Sequence, residues 1–237
     1  MSSRWAQTTC FTLIVIMNLS AWIDIQGIMV ELPLIIPLMP EGWALPSAIT
    51  ICMTAASIAP VLVLILRWRQ GKRFSEIPYI YAIIIVGIVS CCMLAFFWQR
   101  TAFVFGNQRS VWLLGGIFTL STVDCTSSLI FFDYMKRFRA SYLTAVFLGE
   151  GLTGLIPTLL VLAQGMGSEE VCIQAVNGTG LVPIYTQPRF SVRVFIFCIG
   201  GILTVSLLAF VLLRWSNLVS LADAANPAIK RAASSTP

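Results

Sequence analysis

Four carboxylates sit where a polypeptide has least use for them. Asp24 and Glu31 lie seven residues apart in WIDIQGIMVELP (22–33), directly after the uncharged run FTLIVIMNLSA. Asp124 sits in STVDCTSS (121–128) and Glu150 in GEGLTGLIP (149–157). An ionisable side chain within hydrocarbon costs several kcal/mol (~3 or more) unless paired or hydrated, so such residues mark contacts to a ligand, an ion or another helix. No lysine or arginine lies in the core of these apolar runs.

The spacing limits what these acids can do together. Ser20, Asp24, Gly27 and Glu31 follow i, i+4, i+7, i+11 and fall on one helical face. Asp24 and Glu31 then stand about 10.5 Å apart along the axis, too far to share a proton but close enough to line one outward vestibule. Gly27 removes bulk between them, and Leu32-Pro33 and Pro37 are expected to end regular helix. A blander reading of Glu31 is that it simply reaches headgroup water. Ser121, Asp124 and Ser128 share a second face, where hydroxyls can satisfy the carboxylate, as a ligand site or as an interhelical bond. Glu150, between Gly149 and Gly151 and ahead of Gly154 and Pro157, fits the pattern of a transporter site on a discontinuous helix, or a kinked packing helix.

Enzyme chemistry has little to work with. The chain contains no histidine, which removes the commonest general base and metal ligand. A phosphate loop, a GxSxG elbow and an HExxH helix are all missing from the sequence. Asp24 and Asp124 carry no motif of an aspartyl protease. The chain is not expected to be an enzyme or to hold a metal.

The elements that must position these residues are membrane helices. Of 237 residues, 58% are apolar and 11% charged, against roughly 25% charged in soluble domains. Such a chain needs lipid around it. Six runs reach the length of about 20 residues that a bilayer demands: about 7–31, 47–66, 78–98, 111–132, 143–165 and 193–213. The net charge of +5 sits in short clusters between these runs, so it reads as topology and not as a nucleic-acid surface. Eleven of the fifteen basic residues (Arg4, RWRQGKR, DYMKRFRAS, Arg214, Lys230, Arg231) alternate onto one side. That side is expected to be cytoplasmic, with both termini. The sequon Asn177-Gly178-Thr179 falls in the longest connection on the other side and is expected to be glycosylated. Six cysteines lie in apolar runs and read as small hydrophobes; Cys172 alone is a disulfide candidate. The tail 216–237 is expected to be disordered.

Several blocks in order resemble a known family. They are W-x-x-x-x-G-x-x-V-E-L-P at 22–33, MPEGWALPS at 39–47, DCTSS at 124–128, YLTAVFLGEGLTGLIP at 142–157 and QG at 164–165. Together they are similar to the N-terminal half of solute carrier family 52, the eukaryotic riboflavin transporters. The resemblance implies an all-α membrane protein. It implies a bundle of six transmembrane helices resembling one half of an equilibrative-nucleoside-carrier or major-facilitator-like transporter. It implies riboflavin uptake across the plasma membrane by alternating access, with riboflavin as substrate, the lipid bilayer as surroundings and no cofactor. A flat ring with imide and carbonyl groups and a hydroxylated chain wants an apolar slot with a few polar groups. The expected contacts are Trp22, Asp24, Gln26, Glu31 and Trp43, with Asp124, Ser128 and Glu150 deeper. Met29, Gln26 and Asp133 depart from the family pattern, as does Asp24, which replaces a small apolar residue. The chain stops where a second bundle is expected, so a short transporting form, a homo-oligomer, or a non-transporting member that regulates a full-length relative are all open.

Overall fold

The computed structural model describes residues 2–71, 75–104, 106–165, 171–174, 181–184 and 188–222. Among them the fold is helical, with two short antiparallel hairpins. Five helical runs are long and apolar enough to cross a bilayer, or six if the bent N-terminal pair is one span.

That N-terminal pair is α1 (Ser2–Asn18) and α2 (Ile23–Ile35), joined by a 3-10 turn over Leu19–Ala21, where the axis bends by 53°. One continuous helix over 7–31 was the sequence expectation. The break contains neither glycine nor proline; neighbouring side chains hold it. Ser127 Oγ donates to Ala21 O at 3.2 Å and Ser206 Oγ donates to Ile16 O at 2.7 Å. Within the pair, Asn18 Nδ2 donates to Ile14 O at 2.8 Å and Ser20 Oγ to Met17 O at 2.7 Å. Hydroxyls and amides thus answer carbonyls that lipid could not. Beyond the break, α2 runs on through Pro33 to Ile35 instead of stopping at Leu32-Pro33.

The second span is also divided. α3 (Leu45–Ala56) and α4 (Ala59–Gln70) meet at Ser57-Ile58, with Pro60 in the first turn of α4. Proline is preorganised for a helix start and donates nothing backwards. α5 (Glu76–Phe97) and α6 (Val111–Met135) follow, linked by the hairpin of β1 (Ala102–Val104) and β2 (Asn107–Arg109), which turns at Gly106 with φ of 81°. α7 (Leu143–Gln164) is unbroken through Pro157, so the discontinuous helix expected there is found in the first span instead. β3 (Val171–Gln174) pairs antiparallel with β4 (Leu181–Ile184) ahead of α8 (Val192–Trp215). α9 (Leu218–Leu221) packs on α1. Asn177 and residues 223–237 lie outside the described residues, as does the side chain of Cys172.

Packing follows from these faces. α6 lies against α5, α3 and α4; α5 lies against α8; α1 and α2 lie against both α8 and α7. α3/α4 and α7 therefore flank a centre made by the first, third, fourth and sixth spans. One apolar core surrounds Phe131, Phe210 and Ile14 at the basic end, and a second surrounds Phe195, Ile117 and Ile23 towards the other. Gly149 lets α7 touch α1: a Cβ there would stand 2.6 Å from Val15 O and 2.7 Å from Asn18 Cβ. α4 buries none of its residues.

Candidate functional site

The break in the first span places the expected polar residues in two different settings. One is the interior. Asp24, at the start of α2, and Asp124, at the middle of α6, are both fully buried and within hydrogen-bond reach of each other. Asp24 Oδ1 accepts from the Ile25 N–H at 2.9 Å. Its Oδ2 and both oxygens of Asp124 have no further hydrogen-bond partner among the described residues, and the nearby Ser121 Oγ has none either. Gly87 of α5 lies beside them; a Cβ there would make ordinary contact, 3.4 Å from Leu203 Cδ1 and 3.8 Å from Asp24 Oδ2. Among the described residues no lysine or arginine forms an ion pair with either carboxylate. Two carboxylates in contact repel in a low dielectric, and one proton between them turns that repulsion into a hydrogen bond. A cavity of about 10 Å³ adjoins Asp24, lined by Cys91, Ile28 and Phe195. That is about the space of a single water, far too small for an organic substrate.

Gly27 and Glu31 point inward with Asp24. The space that Gly27 leaves is filled by α8: a Cβ there would stand 3.1 Å from Ile199 Cγ1. Glu31 is 0% exposed, and its Oε1 accepts from Gln164 Nε2 at 2.9 Å. Gln164, the last residue of α7, also donates to Phe190 O at 2.9 Å. The stripe expected to line an open outer vestibule is therefore packed shut here, because α7 and α8 both close over it. In the sequence Gln164 stands out only as half of a QG pair; its clamp role depends on α7 lying beside α2.

The second setting is the surface. Trp22 lies at the break, half-buried, and its Nε1 donates to Ser128 Oγ at 3.1 Å. Gln26 is one helical turn further on α2, its N–H bonded to Trp22 O at 3.1 Å, and its side chain is exposed. Trp22, Gln26 and Ser128 thus form an aromatic and amide ledge spanning α2 and α6. Cys125 stands one turn before Ser128, with Sγ 3.9 Å from Ser57 Oγ at the division of the second span. Glu150 is half-exposed on α7, beside Gly149. Trp43 is 87% exposed at the turn before α3 and is not joined to the others by any described contact.

Polar contacts bind the ends of the bundle. Away from the basic end, Glu41 accepts from the Ser110 N–H at 2.7 Å and from Ser110 Oγ at 2.5 Å, tying the 39–47 turn to the start of α6. Burial raises the Glu41 carboxyl, but these bonds and nearby Arg109 outweigh it and hold Glu41 below its ordinary range. At the basic end, Asp133 pairs with Arg67 of α4 at 2.8 Å and with Lys136 at 2.6 Å. The sequence had marked Asp133 only as a departure from a pattern; its partner Arg67 lies 66 residues away.

Comparison with known proteins gives a consistent result. The profile of solute carrier family 52, riboflavin transporter, matches residues 6–236. Solute carrier family 52, riboflavin transporter, member 3-A of Danio rerio is 38% identical over 227 residues, covering 87% of this chain and 50% of the relative. Member 3 of Homo sapiens is 40% identical over 171 residues, covering 72% and 36%. Member 2 of Homo sapiens is 30% identical over 198 residues, covering 84% and 44%. The chain spans about half the length, or less, of the curated relatives it matches.

Proposed function

We propose that this chain, which belongs to solute carrier family 52, the riboflavin transporters, carries one wall of a riboflavin pathway across the plasma membrane. The observation that supports the reading most is the ledge at the helix break: the Trp22 indole bonded to Ser128 Oγ, with the Gln26 amide exposed one turn away. An indole offers a flat apolar surface to a ring system, and a primary amide offers both a donor and an acceptor to imide and carbonyl edges.

In this reading Trp22 and Gln26 contact the ring, with Glu150 and the more peripheral Trp43 as further polar and aromatic contacts. Ser128 orients the Trp22 indole. Glu31 joins the site only when its clamp to Gln164 opens, which makes it a gating group in the packed state described above. Asp24 and Asp124 act from behind the wall, holding α2 and α6 at the angle the ledge requires. No ATP or other cofactor enters the scheme. The basic end faces the cytoplasm, following the distribution of lysine and arginine, and Asn177 is a glycosylation position on the opposite side.

Uptake of radiolabelled riboflavin by cells expressing this chain alone tests the proposal. Saturable uptake above background, lost in Gln26→Ala at equal surface expression, is the expected result. Background uptake together with co-purification of a full-length relative would replace it with a regulatory role.

A further inference from the structure

The basic end of the bundle carries a groove that riboflavin transport leaves without a role. Its volume is about 500 Å³, and it lies where α5 begins and α6 and α8 end, alongside α9. Phe138, Leu213 and Val219 supply apolar wall; Tyr134, Arg137 and Arg214 supply the polar groups.

Every one of those polar groups is a donor. Tyr134 is only 6% exposed, its ring packed against Phe138 and Phe210 with centroids 5.6 and 5.4 Å away. Its hydroxyl lines the groove and has no hydrogen-bond partner among the described residues. The Arg137 guanidinium lies over the Tyr134 ring, 5.8 Å from its centroid. Arg137 gives Nε and Nη2 to Glu76 Oε1, which leaves the hydrogens of Nη1 unspent. Arg214, in the last turn of α8, is exposed and makes no ion pair among the described residues. The Glu76 carboxylate beside the groove is taken by Arg137.

A groove with a phenol hydroxyl, two guanidiniums and apolar walls selects an acceptor-rich anion attached to something greasy. Trp215 at the rim is 77% exposed, its Nε1 donating to Tyr81 Oη at 3.4 Å; an amphipathic indole in that place suits the headgroup level of a bilayer. Exposed Leu212 and Leu221 continue the apolar surface away from the groove. Basic pockets between membrane helices are where anionic headgroups bind.

We propose that this groove binds the headgroup of an anionic phospholipid, with Arg214 and Arg137 on its phosphate and carboxylate oxygens and the Tyr134 hydroxyl completing the set. The acyl chains lie along α8. The site is separate from the Trp22 ledge, so it stands or falls independently of riboflavin transport.

Native mass spectrometry of the full chain in neutral detergent, titrated with phosphatidylserine or phosphatidylcholine, tests it. Phosphatidylserine is expected to be retained about tenfold more tightly, and Arg214→Gln to lose about tenfold of that affinity, the scale of one charge-assisted bond. Arg69→Gln, an exposed arginine of α4 outside the groove, is expected to change nothing. Glycerophosphoserine and inorganic phosphate serve as competitors without acyl chains. Displacement at concentrations comparable to the lipid would overturn the lipid assignment in favour of a soluble anion; failure to displace supports the lipid. Equal retention of the two lipids, or equal losses in Arg214→Gln and Arg69→Gln, would overturn the site.

Discussion

Gln164 donates its amide to Glu31 at 2.9 Å, and neither residue has any exposed surface. The same amide reaches Phe190 O, so one side chain ties α2, α7 and the start of α8 together. Glu31 Oε2 and Gln164 Oε1 have no partner among the described residues, so no spare bond replaces the clamp if it is cut. Gln164→Leu is expected to lower stability by about 2 kcal/mol, the cost of stranding a buried polar group. Gln164→Glu is expected to cost more, since it sets two carboxyls in contact. Thermal unfolding in detergent reads both, and an unchanged midpoint in Gln164→Leu would show that the clamp carries no stability.

Two glycines two residues apart make opposite predictions. Gly149→Ala forces a Cβ against Val15 O and Asn18 Cβ, whereas a Cβ on Gly151 meets nothing within 4 Å. Backbone cannot retreat as a flexible side chain can, so Gly149→Ala is expected to separate α7 from α1 and cost about 1–3 kcal/mol. Gly151→Ala is expected to be neutral or slightly stabilising. The yield of monodisperse protein and the unfolding midpoint of the two variants are compared side by side; similar values would remove the close approach from the account.

The Asp24–Asp124 contact predicts an uncommon gain. Asp24→Asn gives Asp124 a permanent amide donor in place of a hydrogen bond that depends on a shared proton. Stability at neutral pH is expected to rise by about 1 kcal/mol. Asp24→Ala, which removes the partner without replacing it, is expected to be less stable than Asp24→Asn. Unfolding midpoints that rank alanine above asparagine would contradict the contact.

Glu41 gives a pH dependence whose direction is fixed. Its carboxyl lies below the ordinary range in the folded chain, despite burial, because Ser110 and Arg109 favour the charged form. A depressed carboxyl contributes stability above its unfolded value and loses it as pH falls through the folded value. The stability difference between wild type and Ser110→Ala is therefore expected to be full at neutral pH and to shrink in acid, below the ordinary carboxylate range. A difference that grows in acid would reverse the assignment. Because Glu41 is partly solvated, the effect is small.

The sequence made the membrane-helix architecture legible, because long apolar runs and their basic punctuation are local signals. It also made Gln26, Trp22 and Glu150 legible as polar or aromatic exceptions. The break at Leu19–Ala21 was not legible. No glycine or proline marks it, and its carbonyls are answered by Ser127 and Ser206, which lie more than 100 residues away in sequence. Pro157, which does mark a break by local rules, sits in an unbroken α7. The inward turn of Asp24 and Glu31 was likewise hidden. Helical spacing puts them on one face, but only the positions of α6, α7 and α8 decide whether that face meets water or protein. The charge on Asp133 was visible, and its role was not, since Arg67 reaches it from another span.

Equilibrium binding of radiolabelled riboflavin to the purified chain tests the central claim most directly, comparing wild type with Gln26→Ala and Trp22→Phe. The account predicts saturable binding to wild type, about tenfold weaker in Gln26→Ala as the amide contacts are lost. Trp22→Phe, which keeps an apolar face but loses the bond to Ser128, is expected to fall between them. Wild-type binding that neither substitution alters, or no binding by wild type, would contradict the assignment of the ledge to riboflavin.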